Sequence, residues 1–131
     1  LTEIGTLKRG EDVVRGGVVI PHGEVAYIPF EPRSYAYISD TQVFEQEAGW
    51  LRGVKVLYHE ATFLEEHADN AAKRHHSTTL QAATVAREAG VEKLIIGHYS
   101  SRNTDASLYE AECRTVFPET YAASDGDIYE I

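Results

Sequence analysis

The sequence carries a single cysteine, Cys113, among 131 residues. An internal disulfide is therefore excluded, and so is a cysteine-rich zinc knuckle. One lone thiol fits a reducing compartment such as the cytoplasm, and its plainest role is that of a small buried residue on a helix. Any metal held by this chain must draw on histidine and carboxylate instead. Long apolar runs are also lacking. The stretch Leu94-Ile95-Ile96, between Lys93 and Gly97, is far shorter than the roughly 20 residues a membrane-spanning helix needs, so no membrane partner is expected. No signal-peptide pattern is visible at the start, which is Leu1 rather than Met and reads as a processed or excised piece. Basic residues are scarce: 12 Lys and Arg stand against 21 Asp and Glu, a formal charge of −9. That balance argues against a nucleic-acid surface built by this chain alone. It is equally what a carboxylate-rich metal site looks like before its cations bind, and most such charges belong to a wet acidic surface.

What is present is the pattern of one α/β unit without internal repeats. Strand-like stretches at 18–20 and 24–28 are split by the turn signal Pro21-His22-Gly23. Residues 33–41 alternate with a period of two and deliver Asp40 to a strand end. Residues 42–53 predict a short helix ending at Gly53, and 54–60 a buried strand ending in His59-Glu60. Loop and helix mix over 63–76. The spacing of Thr78 and Gln81 predicts a capping box at the start of a helix that runs to Ala89 and stops at Gly90. Residues 91–98 form a buried strand ending at His98, and 105–117 a second amphipathic helix closed by Pro118. The closing Asp125-Gly126 suggests a hairpin. Strands alternating with helices imply a sheet with helices on it, and in such sheets ligands gather at the carboxyl ends of strands. Asp40, His59-Glu60 and His98 all fall there.

The segment "LYHEATFLEEHADNAAKRHHSTT" (57–79) holds His59, His67, His75 and His76 among several carboxylates. Asp40 could bridge two divalent cations, having two oxygens and no proton at neutral pH; it reads as well as a helix cap. His98, after Gly97, is a plausible ligand or simply a hydrogen-bonded histidine opening a loop. Gly97 permits close backbone approach or an unusual dihedral. Ser100, Ser101 and Arg102 resemble a phosphate clamp, since guanidinium presents a planar fork to phosphate oxygens, or form an ordinary polar turn. His76 precedes a helix start and can donate a proton if a carboxylate such as Glu60 holds its other nitrogen. His22, His67, His75, Glu65, Glu66 and Asp69 read as solvated.

The strings "ISDT", "YHEATF", "HSTTLQAATVAREAG", "LIIGHYSSR" and "EAECRTVFPETYAASDGDIYEI", in this order, resemble the C-terminal portion of ribonuclease Z, the zinc-dependent tRNA 3′-processing endonuclease of the metallo-β-lactamase superfamily. The resemblance runs from about Leu7 to the end. It implies an α+β fold, the C-terminal half of a metallo-β-lactamase αββα sandwich: a mixed sheet with helices packed on one face, residues 1–131 forming one part of the domain. It implies Asp40 as a metal-bridging ligand and His98 as a zinc ligand. It implies His76 as proton donor to the leaving oxygen, Glu60 as the carboxylate that orients it, His59 as a further member of the same motif, and Ser100, Ser101 and Arg102 near substrate phosphates. Two zinc ions, precursor tRNA as substrate and a cytoplasmic setting follow from the same likeness.

The chain departs from the family in three ways. Asn103 stands where the family has Tyr. The His-x-His-x-Asp-His cluster and a further histidine ligand are not in this sequence. The tRNA-gripping arm is not in it either. The expectation is therefore a chain that binds zinc weakly and does not cut RNA alone, with an uncovered sheet face that drives homodimer formation. Two other readings stand beside it: a metallo-β-lactamase-fold phosphodiesterase with another substrate, and a non-catalytic half-domain used in assembly.

Overall fold

The structure is a computed structural model describing residues 3–25, 32–102 and 105–131. It divides into two compact units, 1–32 and 33–131. In the first, α1 (Glu3–Lys8) precedes the strands β1 (Val13–Arg15) and β2 (Val18–Ile20), followed by α2 (His22–Val25). The strands pair antiparallel, Arg15 opposite Val18. Their two-residue loop is Gly16-Gly17, with φ of 60° and 80°. Positive φ at both loop positions matches the right-handed twist of a hairpin, and glycine adopts it without a Cβ clash. The strand expected from Glu24 is not formed there. Asp12 Oδ1 accepts the His22 N–H at 2.9 Å, satisfying a free donor at the start of α2, and the turn continues as helix instead. The remainder of that expected strand, 26–28, and Asn103 lie outside the described residues.

The second unit runs β3 (Tyr35–Ile38), α3 (Glu47–Trp50), β4 (Val56–Glu60), a single 3₁₀ turn (Glu65–His67), α4 (Ala68–Arg74), α5 (Thr79–Ala89), β5 (Lys93–Gly97), α6 (Ala106–Arg114) and β6 (Thr120–Ala122). The four strands form one sheet in sequence order, β3-β4-β5-β6, parallel throughout. Both pairings thus occur in the chain, antiparallel in the hairpin and parallel in the larger sheet. Order fixes the layering. Parallel crossovers are right-handed almost without exception, so three crossovers stepping in one direction put their helices on one face.

That face is the core. Leu57, Leu94 and Ile96 are fully buried and pack with Ala82, Ala83 and Ala86 of α5 and with Tyr109 and Cys113 of α6. Three alanines let α5 approach the sheet closely. Thr78 and Gln81 make the reciprocal capping box, and Gly90 ends the helix at φ 71°, both as the spacing predicts. Leu80 is only half-buried, while Ala82 is fully buried.

The opposite face carries tyrosines. Tyr37 and Tyr58 stack at 4.6 Å between centroids, and a Cβ on Gly97 would run into the Tyr58 hydroxyl. The glycine is therefore there for close approach. The expected C-terminal hairpin does not form. Asp127 closes the turn on itself by accepting the Ser124 N–H at 2.8 Å, and the tail folds back by side chain, Tyr129 Oη donating to the Ala122 carbonyl at 3.3 Å.

Cys113 is fully buried and donates through Sγ to the Thr79 carbonyl. Burial pushes its thiol up to about 12, with Glu112 and Glu110 adding in the same direction. A thiol whose folded value lies above its unfolded one keeps its proton longer in the native chain. Stability is then lost as pH rises past about 9, by about 1.4 kcal/mol per pH unit from this group. Urea titrations between pH 8 and 10.5 are expected to show that slope reduced in Cys113→Ala.

Candidate metal centre and proton relay

The parallel register aligns the ends of three strands: Ile38, His59 and Ile96 are partners, as are Glu60 and Gly97. Two residues past Ile38 and Ile96 come Asp40 and His98. Both have left-handed backbone, φ 55° and 61°, a conformation that costs a side-chain-bearing residue about 1–2 kcal/mol. Such strain persists where surroundings over-determine it and clusters at functional sites.

Glu60 is the hub. Its side chain is fully buried, and its oxygens accept the Thr41 N–H at 2.7 Å, the Thr62 N–H at 3.1 Å and hydroxyl at 2.6 Å, and the Ser77 N–H at 3.1 Å. His76 Nδ1 lies 2.8 Å from the same carboxylate. Burial pushes the Glu60 carboxyl up, but the bonds from Thr62, His76, Ser77 and Thr41 together outweigh it, and the net shift is downward. Glu60 is therefore an ionised acceptor.

The tautomers follow from that charge. His76 must donate through Nδ1 to Glu60, which leaves Nε2 as its free nitrogen. The Thr62 hydroxyl spends its one proton on Glu60. It can then only accept from His98 Nδ1, 2.8 Å away, and His98 Nε2 is left free in turn. Histidines held this way present one basic nitrogen in a fixed direction. The two rings stand 5.3 Å apart, and Asp40, 76% exposed, lies 3.7 Å from His76 Nδ1.

Asp40, Glu60, His76 and His98 each offer a ligand atom, and these atoms all lie within 4.8 Å of one another. Imidazole with carboxylate fits a borderline cation such as zinc. The hydrogen bonds divide the set, however. Both Glu60 oxygens are occupied, which leaves the Asp40 carboxylate and the Nε2 atoms of His98 and His76 as the donors that Glu60 and Thr62 do not engage. That suits one edge of a metal site and falls short of the four ligands zinc prefers.

His59 is not brought into the cluster. Neighbours on a strand point to opposite faces, so when Glu60 faces the site His59 faces the core. There it is fully buried, Nε2 2.8 Å from Glu47 Oε1 and Nδ1 2.6 Å from the Glu60 carbonyl. It props the strand end from behind. Ser100 donates its N–H to the Thr62 carbonyl at 3.0 Å; Ser101 and Arg102 are exposed on the turn that follows. Thr62 and Glu47 were not singled out by the sequence. Thr62 had a signal, since it stands two residues after Glu60 and an extended chain puts both on one side. Glu47 had none, because its partner is remote in the chain.

No protein-family model matches the chain. The metallo-β-lactamase-fold protein YhfI of Bacillus subtilis superposes with a TM-score of 0.67 over 73% of this chain and 39% of that one, at 23% identity. The short form of human tRNase Z does so with a TM-score of 0.50 over 64% of this chain and 30% of its own, at 27% identity. The fold is that of the C-terminal half of a metallo-β-lactamase domain. By sequence the chain is a homologue of Ribonuclease Z: the protein of that name from Cytophaga hutchinsonii is 46% identical over 133 aligned residues, which take in all of this chain and 42% of the relative. The chain thus spans less than half the length of the relatives it matches.

The hydrogen-bond network predicts two stability effects. In Glu60→Gln, either amide orientation turns an NH₂ toward buried donors, and each unsatisfied donor costs about 1–3 kcal/mol. Glu47→Ala leaves buried His59 Nε2 without its hydrogen-bond partner, a loss of about 1–3 kcal/mol. Urea unfolding of both variants against the parent chain measures these losses.

Proposed function

We propose that the chain supplies one side of the active site of a zinc-dependent endoribonuclease that removes the 3′ trailer of precursor tRNA. The observation that carries this is the Glu60-held pair of histidines beside Asp40 at the rim of the sheet. Homology to Ribonuclease Z supports the choice of substrate. Asp40 and His98 Nε2 would hold metal. Zinc bound there supplies positive charge for anionic oxygens and lowers the pKa of water.

His76 and Glu60 then act as a positioning pair for a proton. Glu60 fixes the His76 ring through Nδ1; when Nε2 also carries a proton, the imidazolium gives that proton to the leaving oxygen as general acid and keeps the one on Nδ1. The positive end of α5 lies next to His76 in sequence, and with Arg102 from the β5–α6 turn it favours phosphate. Ser100 and Ser101 extend that turn as hydroxyl donors. His59 contributes through the strand end it supports and touches no reacting atom.

The relay rests on His76 Nε2, and mutation tests it. In the natural polypeptide that carries this sequence, His76→Ala is expected to lower the rate of precursor-tRNA cleavage by about 10²–10⁴-fold. Unchanged turnover removes the role. For the chain by itself, two open protein donors predict zinc binding weaker than micromolar and no cleavage. Titration calorimetry with zinc checks the first, and sub-micromolar affinity would overturn it.

The reading includes a second copy of the chain. Tyr35 and Tyr37 are 48% and 62% exposed on the face away from the helices, with Ile131 at 43%, an apolar face that self-association would cover. Sedimentation equilibrium is expected to show a dimer; a monomer throughout removes this part. Among the described residues no helix is long and apolar enough to cross a membrane. The single buried thiol agrees with a cytoplasmic setting.

A further inference from the structure

His59 and Glu47, behind the site, do more than fill space. Both are fully buried, and their polar atoms have fixed partners. His59 Nδ1 lies 2.6 Å from the Glu60 carbonyl oxygen, and Nε2 lies 2.8 Å from Glu47 Oε1. Glu47 Oε2 accepts the Phe44 N–H at 3.2 Å, and the Glu47 N–H donates back to the Phe44 carbonyl at 3.1 Å.

These partners fix the number of protons. A carbonyl oxygen only accepts, so Nδ1 must donate to Glu60. An ionised carboxylate also only accepts, so Nε2 must donate to Glu47. A neutral imidazole has one N–H and cannot do both. Either His59 carries two ring protons or Glu47 carries one. Imidazole is the stronger base of the two groups, which places the extra proton on His59. A buried pair of this kind persists where its remaining lone pairs and protons are answered. Here Phe44 answers the second oxygen of Glu47, and Glu60 the second nitrogen of His59.

The location gives the pair its use. β3 stays in register with β4 as far as Ile38, opposite His59, and then departs into the left-handed backbone of Asp40. The Glu60 carbonyl lies one residue past that last partner, and the His59 ring donates to it there. The Glu47 carboxylate also closes the turn at Phe44, three residues after Thr41, whose N–H reaches Glu60 Oε1 at 2.7 Å. One carboxylate thus fastens the strand end that carries Glu60 and the loop that follows Asp40 and Thr41.

We infer that Glu47 is a positioning residue for the site: it keeps a proton on each ring nitrogen of His59, and through His59 and the 41–47 loop it holds Glu60 and Asp40 in place. The inference deepens the proposed function and rests on it for the reaction that this placement serves.

The test reads the isotope-labelled, metal-free chain by nuclear magnetic resonance at neutral pH. His59 is expected to show two protonated ring nitrogens. In Glu47→Gln the amide NH₂ can donate to Nε2 while the amide oxygen accepts the Phe44 N–H. The turn is then kept, and the Nε2 proton is expected to vanish while the Nδ1 proton remains. In Glu47→Ala, hydrogen exchange at the Thr41 amide is expected to quicken about 5- to 10-fold more than at the Val91 amide beyond α5, as for one weakened hydrogen bond, and Glu47→Gln to restore it. One protonated ring nitrogen on His59 in the parent chain, or a Thr41 amide that quickens no more than Val91, overturns the inference. In the natural polypeptide that carries this sequence, Glu47→Ala is expected to lower kcat for precursor-tRNA cleavage about 10- to 100-fold with KM little changed, and Glu47→Gln to recover most of it; an unchanged kcat in Glu47→Ala removes the positioning role. A parent polypeptide that leaves precursor tRNA uncut removes the nuclease reading instead, and the resonance data then decide the pair by themselves.

Discussion

The Glu60 carboxylate is a full negative charge with no access to water, and protein hydrogen bonds stand in for its solvent. A buried charge that lost these partners would be severely penalised. The donors come from separate segments: Thr41 after β3, Thr62 after β4, and His76 with Ser77 before α5. Each segment is therefore held at the distance the carboxylate demands. Thr62 carries the constraint to a fourth segment by accepting from His98. The network rigidifies the site and assigns its protons in one step, because an ionised acceptor leaves each neighbouring hydroxyl and imidazole only one way to point.

The layers behind the site serve the same end. Sequential order in a parallel sheet puts the helices on one face, and the buried His59–Glu47 pair fills the space beneath the end of β4. Acidic side chains also brace the start of α5, where Thr78 donates to Glu65 and Thr79 to Glu112. Part of the chain's negative balance is thus structural. It anchors the helix whose approach segment holds His76.

The legible parts of the fold were those with local causes. The capping box at Thr78 and Gln81, the stop at Gly90 and the strand that ends before His98 are set by residues within one turn or one strand of each other. The misreadings were at places where a distant group decides. Asp12 turns residues 22–25 into helix, and Asp127 with Tyr129 folds the tail back without a second strand. Within the site, Asp40, Glu60, His76 and His98 could be named from strand ends and from the family likeness. The same likeness placed His59 beside Glu60, where strand alternation separates them.

The sequence by itself determined which residue types stand at the ends of the strands, where the helices begin and stop, and that any metal must be met by histidine and carboxylate. These are properties of neighbours in the chain. Only the tertiary structure decided which nitrogen of each histidine is free and that both Glu60 oxygens are already occupied. Those outcomes depend on segments 14 to 36 residues apart meeting around one desolvated charge, and no local pattern encodes the direction of a hydrogen bond across that distance.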